Sequence, residues 1–260
     1  MTDFNNKSVI VTGGTKGVGY GIAEAFLAAG ANVFICGRNA PEKLPQADAK
    51  QAVFMAADVR KPEESQALID AVLTATGRLD VVINNAGGSP PVKAADAPAK
   101  LTESIIRLNL IGPLVFSQQA FHALRKNPNG GAIVNIASIS GVRPSPGTAA
   151  YGAAKAGLIN VTRSLAQEWA ADKVRVNAII AGMIKTEASH EHYGGEKGIA
   201  LIESALPMGR MAVPTDIANA CLFLAAEQSA YISGAALDVT GAGEPPMFLK
   251  LAEEAFALSQ

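Results

Sequence analysis

The chain has 260 residues and a formal net charge of −1, so it offers neither nucleic acid nor an anionic membrane a strongly basic surface. Apolar residues make up 49% of it and charged residues 17%, a composition that favours one domain over residues 1–260 with strands buried on both faces. The start, MTDFNN, lacks the basic and apolar regions of a signal peptide, and Cys36 and Cys221 lie in apolar runs, so we expect a cytoplasmic protein without a disulfide framework.

Apolar runs alternate with helical patterns along the sequence. The runs predict strands at Ser8–Val11, Asn32–Cys36, Ala52–Ala56, Val81–Ile83, Ala132–Ala137, Val174–Ile180 and Ala235–Val239. The helical patterns are Val18–Ala29, Glu63–Thr76, Leu101–Arg125, Ala149–Ala171 and Thr215–Ala226. Such alternation predicts an α/β fold with a parallel sheet and right-handed crossovers. Between Arg38 and Gln51, prolines and weak periodicity favour at most a short helix.

A glycine-rich turn follows the first strand, where Thr12–Gly19 reads TGGTKGVG with the spacing GxxxGxG. Between a strand and a helix, such a turn lets backbone N–H groups approach a pyrophosphate at the helix N-terminus. The turn therefore predicts a dinucleotide site, and a plain tight turn is the alternative.

The end of the second strand indicates which dinucleotide is bound. An acidic residue about 20 positions past the glycines binds the ribose 2′-hydroxyl in dinucleotide folds. Here that place holds Arg38, and Lys16 adds a second positive charge. A guanidinium suits a 2′-phosphate, so we expect NADP rather than NAD. Solvated, unengaged Arg38 and Lys16 are the alternative.

Polar residues also follow the third and fourth predicted strands. Asp58 lies where a carboxylate accepts a hydrogen bond from an adenine amino group. Asn84, Asn85 and Gly87 suit either a polar clamp on a ligand or a turn that ties neighbouring strands together. The sequence leaves both roles open.

Tyr151 and Lys155 are four residues apart on a predicted helix, so they share one face. An ammonium beside a phenol favours the phenolate and predicts a lowered tyrosine pKa, as a general acid or base requires. Ser138 lies across a loop rich in proline and glycine that can return its hydroxyl to the tyrosine. Asn109, among apolar neighbours, indicates a local helix bend.

These motifs together resemble the short-chain dehydrogenase/reductase family. The match rests on TGGTKGVG (12–19), NNAG (84–87), Asn109, Ser138 and YGAAK (151–155), and it extends from Lys7 to about Gly241. The resemblance implies a Rossmann-type doubly wound parallel sheet of about seven strands with helices on both faces. The glycine turn with its lysine, and CGRN after the second strand, resemble the NADP-dependent tropinone reductase-like branch.

The resemblance also implies roles for single residues. Tyr151 is expected to move the proton, Lys155 to lower its pKa and bind the nicotinamide ribose, and Ser138 to position the substrate oxygen. Asn109 is expected to hold a water of a proton relay. The expected cofactor contacts are Gly13, Thr15, Lys16, Gly17, Val18, Gly19, Arg38, Asn39, Asp58, Val59, Asn85, Ala86, Gly87, Tyr151, Lys155, Gly182, Ile184 and Thr186.

One position departs from the family pattern, and two segments follow it. Ala181 stands where the family has proline, so we expect a looser loop before Thr186. Residues 187–211, with two adjacent glycines, predict a substrate lid, although a fixed surface helix is nearly as consistent. The amphipathic tail, 244–260, is expected to bury its apolar side against its own subunit or a neighbour. The sequence HEH at His190–His192 lacks a third ligand, so we expect no metal site.

The sequence thus predicts an NADP(H)-dependent oxidoreductase that interconverts a secondary alcohol and a ketone. An NAD-dependent dehydrogenase of the same family and a non-catalytic dinucleotide-binding regulatory protein are the alternatives. The substrate is a small molecule, and steroid, acyl thioester, sugar and small ketone all remain open. Apolar faces on the two longest predicted helices favour a homotetramer or homodimer.

Overall fold

A computed structural model describes residues 3–259. The strands are β1 Ser8–Thr12, β2 Asn32–Gly37, β3 Gln46–Ala47, β4 Lys50–Gln51, β5 Val53–Ala56, β6 Val81–Asn84, β7 Gly131–Ser138, β8 Val174–Ala181 and β9 Ala236–Val239. The α-helices are α1 Gly17–Ala28, α2 Pro62–Thr76, α3 Ala99–Ile106, α4 Gly112–Leu124, α5 Ala149–Glu168, α6 Ser189–Tyr193, α7 Gly195–Ala205, α8 Pro214–Ala225 and α9 Met247–Ala257.

The main sheet has seven strands in the order β5-β2-β1-β6-β7-β8-β9. All its neighbouring strands are parallel, so the predicted doubly wound parallel sheet is confirmed. The chain moves outward from β1 to β5 and then returns to build the other half from β6. The direction reverses between β1 and β6, and a crevice for ligands is expected at their carboxyl ends. The glycine-rich turn and Asn85–Gly87 follow these two strands.

Helices cover both faces of the sheet, which explains why its strands are apolar at successive positions. Val9 and Val11 of β1 belong to the core beneath α1 and α8, whereas Ile10 points into the core beneath α2 and α4. Phe26 of α1 and Phe116 of α4 are fully buried on these opposite faces. Removing this apolar area from water is the main force that holds the layers together.

The long helix predicted at Leu101–Arg125 is interrupted. A π-helical turn at Arg107–Ile111 separates α3 from α4. The buried Asn109 lies in this turn and donates from Nδ2 to the backbone oxygens of Ile105 and Gly88, each at 2.9 Å. The predicted local bend is therefore confirmed, and its cause is an extra residue in one turn of the helix.

The segment after β2 differs from its prediction. Instead of a short helix it forms the antiparallel β3–β4 hairpin, with Gln46 opposite Gln51 and Ala47 opposite Lys50. The turn includes Asp48 with φ of 51°, a left-handed conformation that aspartate tolerates better than most side chains.

The end of the chain forms α9, whose apolar side chains face solvent. Met247, Phe248, Leu249, Leu251 and Phe256 are each at least 54% exposed. Of the two expected ways to cover the tail, burial against its own subunit is not seen in the residues described, and burial against a neighbouring subunit stays a prediction. Across residues 3–259, none of the helices combines the length and the hydropathy that crossing a bilayer requires.

Candidate active site

Ser138 and Tyr151 come together where β7 ends and α5 begins. The intervening loop packs so closely on α5 that a β-carbon added at Gly141 would lie 2.8 Å from the backbone nitrogen of Ala156. A β-carbon at Gly152 would lie 2.8 Å from the Ser140 oxygen. These glycines permit the close approach, and the Ser138 side chain lies near enough to Tyr151 to lower the pKa of its phenol. The predicted return of Ser138 to the tyrosine is confirmed.

Lys155 lies one turn further along α5 and is buried. Its Nζ donates to the Ile136 backbone oxygen at 2.7 Å and lies 5.5 Å from the centroid of the Tyr151 ring. Burial disfavours the ammonium and lowers the Lys155 pKa to about 8. A lysine with this pKa can lose and regain its proton close to neutral pH.

The predicted lowering of the Tyr151 pKa is wrong for the ligand-free protein. Burial raises this pKa above its ordinary value, and the nearby Ser138 side chain offsets only part of the rise. Lys155 Nζ lies over the Tyr151 ring and donates to a carbonyl, so the expected effect of an ammonium at the hydroxyl is not realised. At neutral pH the phenol therefore keeps its proton.

Asn109 joins this group from the π-helical turn. Its Oδ1 accepts from the Gly88 backbone N–H at 2.9 Å, and both hydrogens of its Nδ2 are donated to backbone oxygens. A β-carbon at Gly87 would lie 2.7 Å from Asn109 Oδ1 and 3.2 Å from Lys155 Nζ. Asn109 thus fixes the loop after β6 beside Lys155, while the relay water stays a prediction.

Asn85 ties the glycine-rich turn to the end of β6. Its Nδ2 donates to the backbone oxygens of Thr12 and Gly13 at 3.0 and 3.1 Å, and its N–H donates to the Thr12 hydroxyl. The Ala86 N–H donates to the same hydroxyl at 3.1 Å. Of the two roles left open by the sequence, the structure shows the strand tie, and contact with an adenosine ribose stays a prediction.

The glycine-rich turn leaves no room for side chains at its ends. A β-carbon at Gly13 would lie 2.9 Å from the Ala86 Cα, and one at Gly19 would lie 2.3 Å from the Gly13 oxygen. Gly13 and Gly17 also have positive φ of 65° and 55°. The turn therefore holds the N-terminus of α1 against the carboxyl end of β6, as a phosphate-binding turn requires.

Exposed cationic side chains lie around the turn. The side chains of Lys16, Arg38 and Asn39 are exposed, and across residues 3–259 the first two form no ion pair or side-chain hydrogen bond. The Gly17 N–H already binds an anionic group, because it donates to Glu187 Oε1 at 2.8 Å. The site thus has an anion position at the helix N-terminus and unpaired cations nearby.

Asp58 has a partner that the sequence reasoning missed. Arg60 donates from Nε to both carboxylate oxygens of Asp58, at 2.9 and 3.1 Å, and its Nη1 donates to the Ser104 hydroxyl. This hydrogen bonding with Arg60 lowers the Asp58 pKa. The arginine two residues after the aspartate was the available signal. Asp58 is thereby oriented beside the buried Val59, and its contact with adenine stays a prediction.

Backbone pairing holds the start of the loop after β8. Ala181 is the last residue of β8, opposite Ser138 and Val239, and the Gly182 N–H donates to the Val239 oxygen at 3.0 Å. Ile184 bridges Ala212. Ala181 therefore continues the strand, and the expected loosening of the loop before Thr186 stays a prediction.

The predicted lid and its two histidines lie beyond this loop. Residues 187–211 contain α6 and α7, joined at Gly194 and Gly195, which both have positive φ. His190 and His192 are exposed, and His192 Nδ1 lies 2.8 Å from the Ala188 oxygen. In the part of the chain described, His, Cys, Asp and Glu form no group of three or more that is arranged to hold a metal ion.

Comparison with known proteins agrees with this geometry. A family model described as enoyl-(acyl carrier protein) reductase matches residues 13–241. The 3-oxoacyl-(acyl-carrier-protein) reductase FabG of Chlamydia muridarum is 38% identical over 242 residues, covering 91% of this chain and 96% of its own. The 3beta-hydroxysteroid dehydrogenase 1 of Eggerthella lenta is 34% identical over 247 residues, covering 92% and 94%. The structure of a short-chain type dehydrogenase/reductase from Mycobacterium ulcerans matches with a TM-score of 0.85 at 28% identity, covering 92% and 90%.

The fold and the site define a dinucleotide-dependent oxidoreductase of the Rossmann type. The chain belongs to the short-chain dehydrogenase/reductase family, and the predicted family is confirmed. Members of this family use nicotinamide dinucleotides and include enzymes named for action on alcohols and ketones. The likeness to the tropinone reductase-like branch stays a resemblance of two short motifs.

Proposed function

We propose that this protein interconverts a secondary alcohol and a ketone with NADP(H), and that Tyr151 is its general acid and base. The observation that carries the proposal is the placement of Tyr151 beside Ser138, with the Nζ of buried Lys155 5.5 Å from the centroid of the tyrosine ring, at the edge of the sheet that holds the glycine-rich turn. A non-catalytic dinucleotide-binding protein does not require this arrangement.

Each residue of the group has a distinct task. Bound NADP(H) supplies or accepts the hydride at the carbon. Ser138 holds the substrate oxygen beside the Tyr151 hydroxyl. Because the Tyr151 pKa is raised, the phenol carries a proton at neutral pH and donates it to the oxygen during reduction. Lys155, with a pKa of about 8, is suited to return a proton to this position.

The preference for NADP(H) rests on charge. Arg38 follows β2 where NAD-binding folds carry an acidic residue, and Lys16 lies in the turn. Both side chains are exposed and available to a 2′-phosphate. An NAD-dependent dehydrogenase of the same family is the second candidate, since Asn39 and the turn also suit the unphosphorylated ribose.

The proposal places residues 1–260 in one cytoplasmic catalytic domain, with a lid at 187–211 and a tail at 244–260. We further propose a homotetramer or homodimer. The exposed face of α5 carries the small residues Ala153 and Ala156, which let a second helix approach closely. Light scattering that shows only a monomer of 26.7 kDa at micromolar concentration would contradict this assembly.

The test is a panel of ketones, including 3-oxoacyl thioesters, 3-ketosteroids, sugars and small ketones, assayed with NADPH and with NADH. The expected result is loss of absorbance of the reduced cofactor with at least one class, and a higher kcat/KM for NADPH. Equal or better efficiency with NADH would favour the second candidate. Absence of turnover with the whole panel, together with measurable cofactor binding, would favour the non-catalytic alternative.

A further inference from the structure

Glu187, the first residue of the lid, reaches back to the glycine-rich turn. Its Oε1 accepts from the backbone N–H of Gly17 at 2.8 Å. Gly17 is the first residue of α1, and the preceding Lys16 provides no side-chain cap. The carboxylate therefore satisfies a helix N-terminal N–H that would otherwise be unpaired.

The position of this carboxylate is the one that the turn assigns to a phosphate. The N–H groups at the start of α1 and the helix dipole favour an anion there. The lid begins directly beside the turn, since a β-carbon at Gly17 would lie 3.5 Å from Thr186 Cγ2 and 3.8 Å from Glu187 Oε1. Glu187 stands in for a phosphate oxygen, and two anions cannot share one N–H without repulsion.

Glu187 is also the polar link between the lid and α1. The other hydrogen bonds and ion pairs of residues 187–205 in the described structure end within residues 184–206, such as Lys185 with Glu203 at 3.8 Å. The far end of the lid is tied to α8 by the ion pair of Arg210 with Asp216 at 2.7 Å. The adjacent Gly194 and Gly195 have φ of 74° and 75°, so glycine is needed for the left-handed turn between α6 and α7.

We propose that Glu187 is a latch that fastens the lid to the empty dinucleotide site and is displaced when a diphosphate binds. The inference rests on the proposed cofactor site. Because the carboxylate and the diphosphate compete for the start of α1, cofactor binding releases the lid from this contact. The coupling is reciprocal, so a fastened lid weakens cofactor binding.

Two variants separate the charge from the hydrogen bond. Glu187→Ala removes both, whereas Glu187→Gln keeps an oxygen acceptor and removes the charge. Glu191→Ala and Glu191→Gln are matched controls, because Glu191 is an exposed glutamate of the same lid with no side-chain hydrogen bond or ion pair among the described residues. Hydrogen exchange of the ligand-free protein reports the latch without cofactor, and fluorescence titration reports the Kd for NADPH.

In Glu187→Ala we expect faster exchange across 187–205 and at the start of α1 without ligand. In both Glu187 variants we expect a Kd for NADPH about two- to fivefold lower than in the wild type, the size of a charge effect at an exposed helix N-terminus. The Glu191 variants should match the wild type in both measurements.

Unchanged lid exchange in Glu187→Ala, or a Kd no lower than in the wild type, would overturn the latch and leave the proposed function intact. If NADPH and NADH both fail to bind the wild type, the latch and the proposed cofactor site fall together. Rapid lid exchange in the wild type, equal to that of Glu187→Ala, would show that the contact does not hold the lid.

Discussion

The two ends of the sheet carry clefts of nearly equal volume but of different chemistry. The cleft at the amino ends of the strands encloses about 610 Å³, and the one beside the glycine-rich turn about 630 Å³. At the amino end, Asp80 accepts from the Ser8 N–H and from Arg78, and Arg175 donates to the backbone oxygens of Leu224, Ile232, Ala225 and Ala226. These charged groups are therefore paired within the protein, where they stabilise the fold.

At the carboxyl end the polar groups are less completely paired. The side chains of Lys16 and Arg38 are exposed without partners among residues 3–259, and buried Lys155 donates to a single carbonyl. Volume therefore does not locate the site, because neither cleft is lined by Ser138, Tyr151 or Lys155. The reactive end differs from the other because the fold positions its polar groups without pairing them all, so they can bind a ligand. Substitutions at the two ends should therefore have different effects.

The largest expected effect is that of Tyr151→Phe. Removing the hydroxyl should lower kcat by about 10²–10⁴-fold, the usual contribution of a general acid, while cofactor affinity changes little. Tyr231→Phe is the matched control, because Tyr231 lies fully exposed at the amino end. Retention of more than about a tenth of the wild-type rate by Tyr151→Phe would show that its role is misassigned.

Lys155 should make the free energy of unfolding depend on pH in the alkaline range. Its pKa is about 8 in the folded protein and 10.5 as the ordinary value, so between pH 8 and 10 the unfolded chain binds more protons. The free energy of unfolding should therefore rise over this range by about 2–3 kcal/mol relative to Lys155→Met. Urea unfolding at pH 7, 8, 9 and 10 measures it, and parallel profiles for the two proteins would contradict the lowered pKa.

Asp80→Ala should lower the free energy of unfolding and leave kcat unchanged. The substitution leaves the Ser8 N–H and the half-exposed Arg78 without their partner, so we expect a loss of about 2 kcal/mol in the free energy of unfolding. Below its unfolding temperature, the variant should keep the wild-type kcat. A large fall in kcat with unchanged stability would mean that the amino end takes part in the reaction.

The smallest effect is expected for Arg38→Ala. Losing a charge-assisted contact with the 2′-phosphate should reduce kcat/KM for NADPH about tenfold, with little change for NADH. Arg143→Ala is a useful control, since this exposed arginine pairs with Glu244 in the tail. Equal losses with the two cofactors would show that Arg38 does not read the 2′-phosphate.

Local sequence patterns were sufficient for the seven strands of the main sheet, the glycine-rich turn and the proximity of Ser138 to Tyr151, but not for the β3–β4 hairpin. Strands buried on both faces are apolar at every position, and a turn with fixed glycine spacing has few other conformations. Arg60 on Asp58, Glu187 on Gly17 and the raised Tyr151 pKa were not predicted. Each depends on contacts or burial that only the folded chain creates.

What covers the tail could not be predicted from the sequence, for a different reason. The amphipathic pattern of α9 was recognised correctly, but a pattern specifies an apolar side and not the surface that covers it. Similarly, a polar residue among apolar neighbours at Asn109 indicated a bend without showing that the amide would bind Gly88.

The π-helical turn also sets the rotational phase between two parts of one continuous helical segment. An α-helix advances about 100° per residue, so one extra residue in a turn rotates everything after it by about that angle. Asn109 and Phe116 are seven residues apart, and a regular α-helix would place both on nearly the same side. The added rotation lets Asn109 face the Gly88 loop while Phe116 faces the core. Deleting one residue between Asn109 and Phe116 would remove the extra residue of the turn and leave the two six residues apart, so on a regular α-helix they would still point about 120° away from each other.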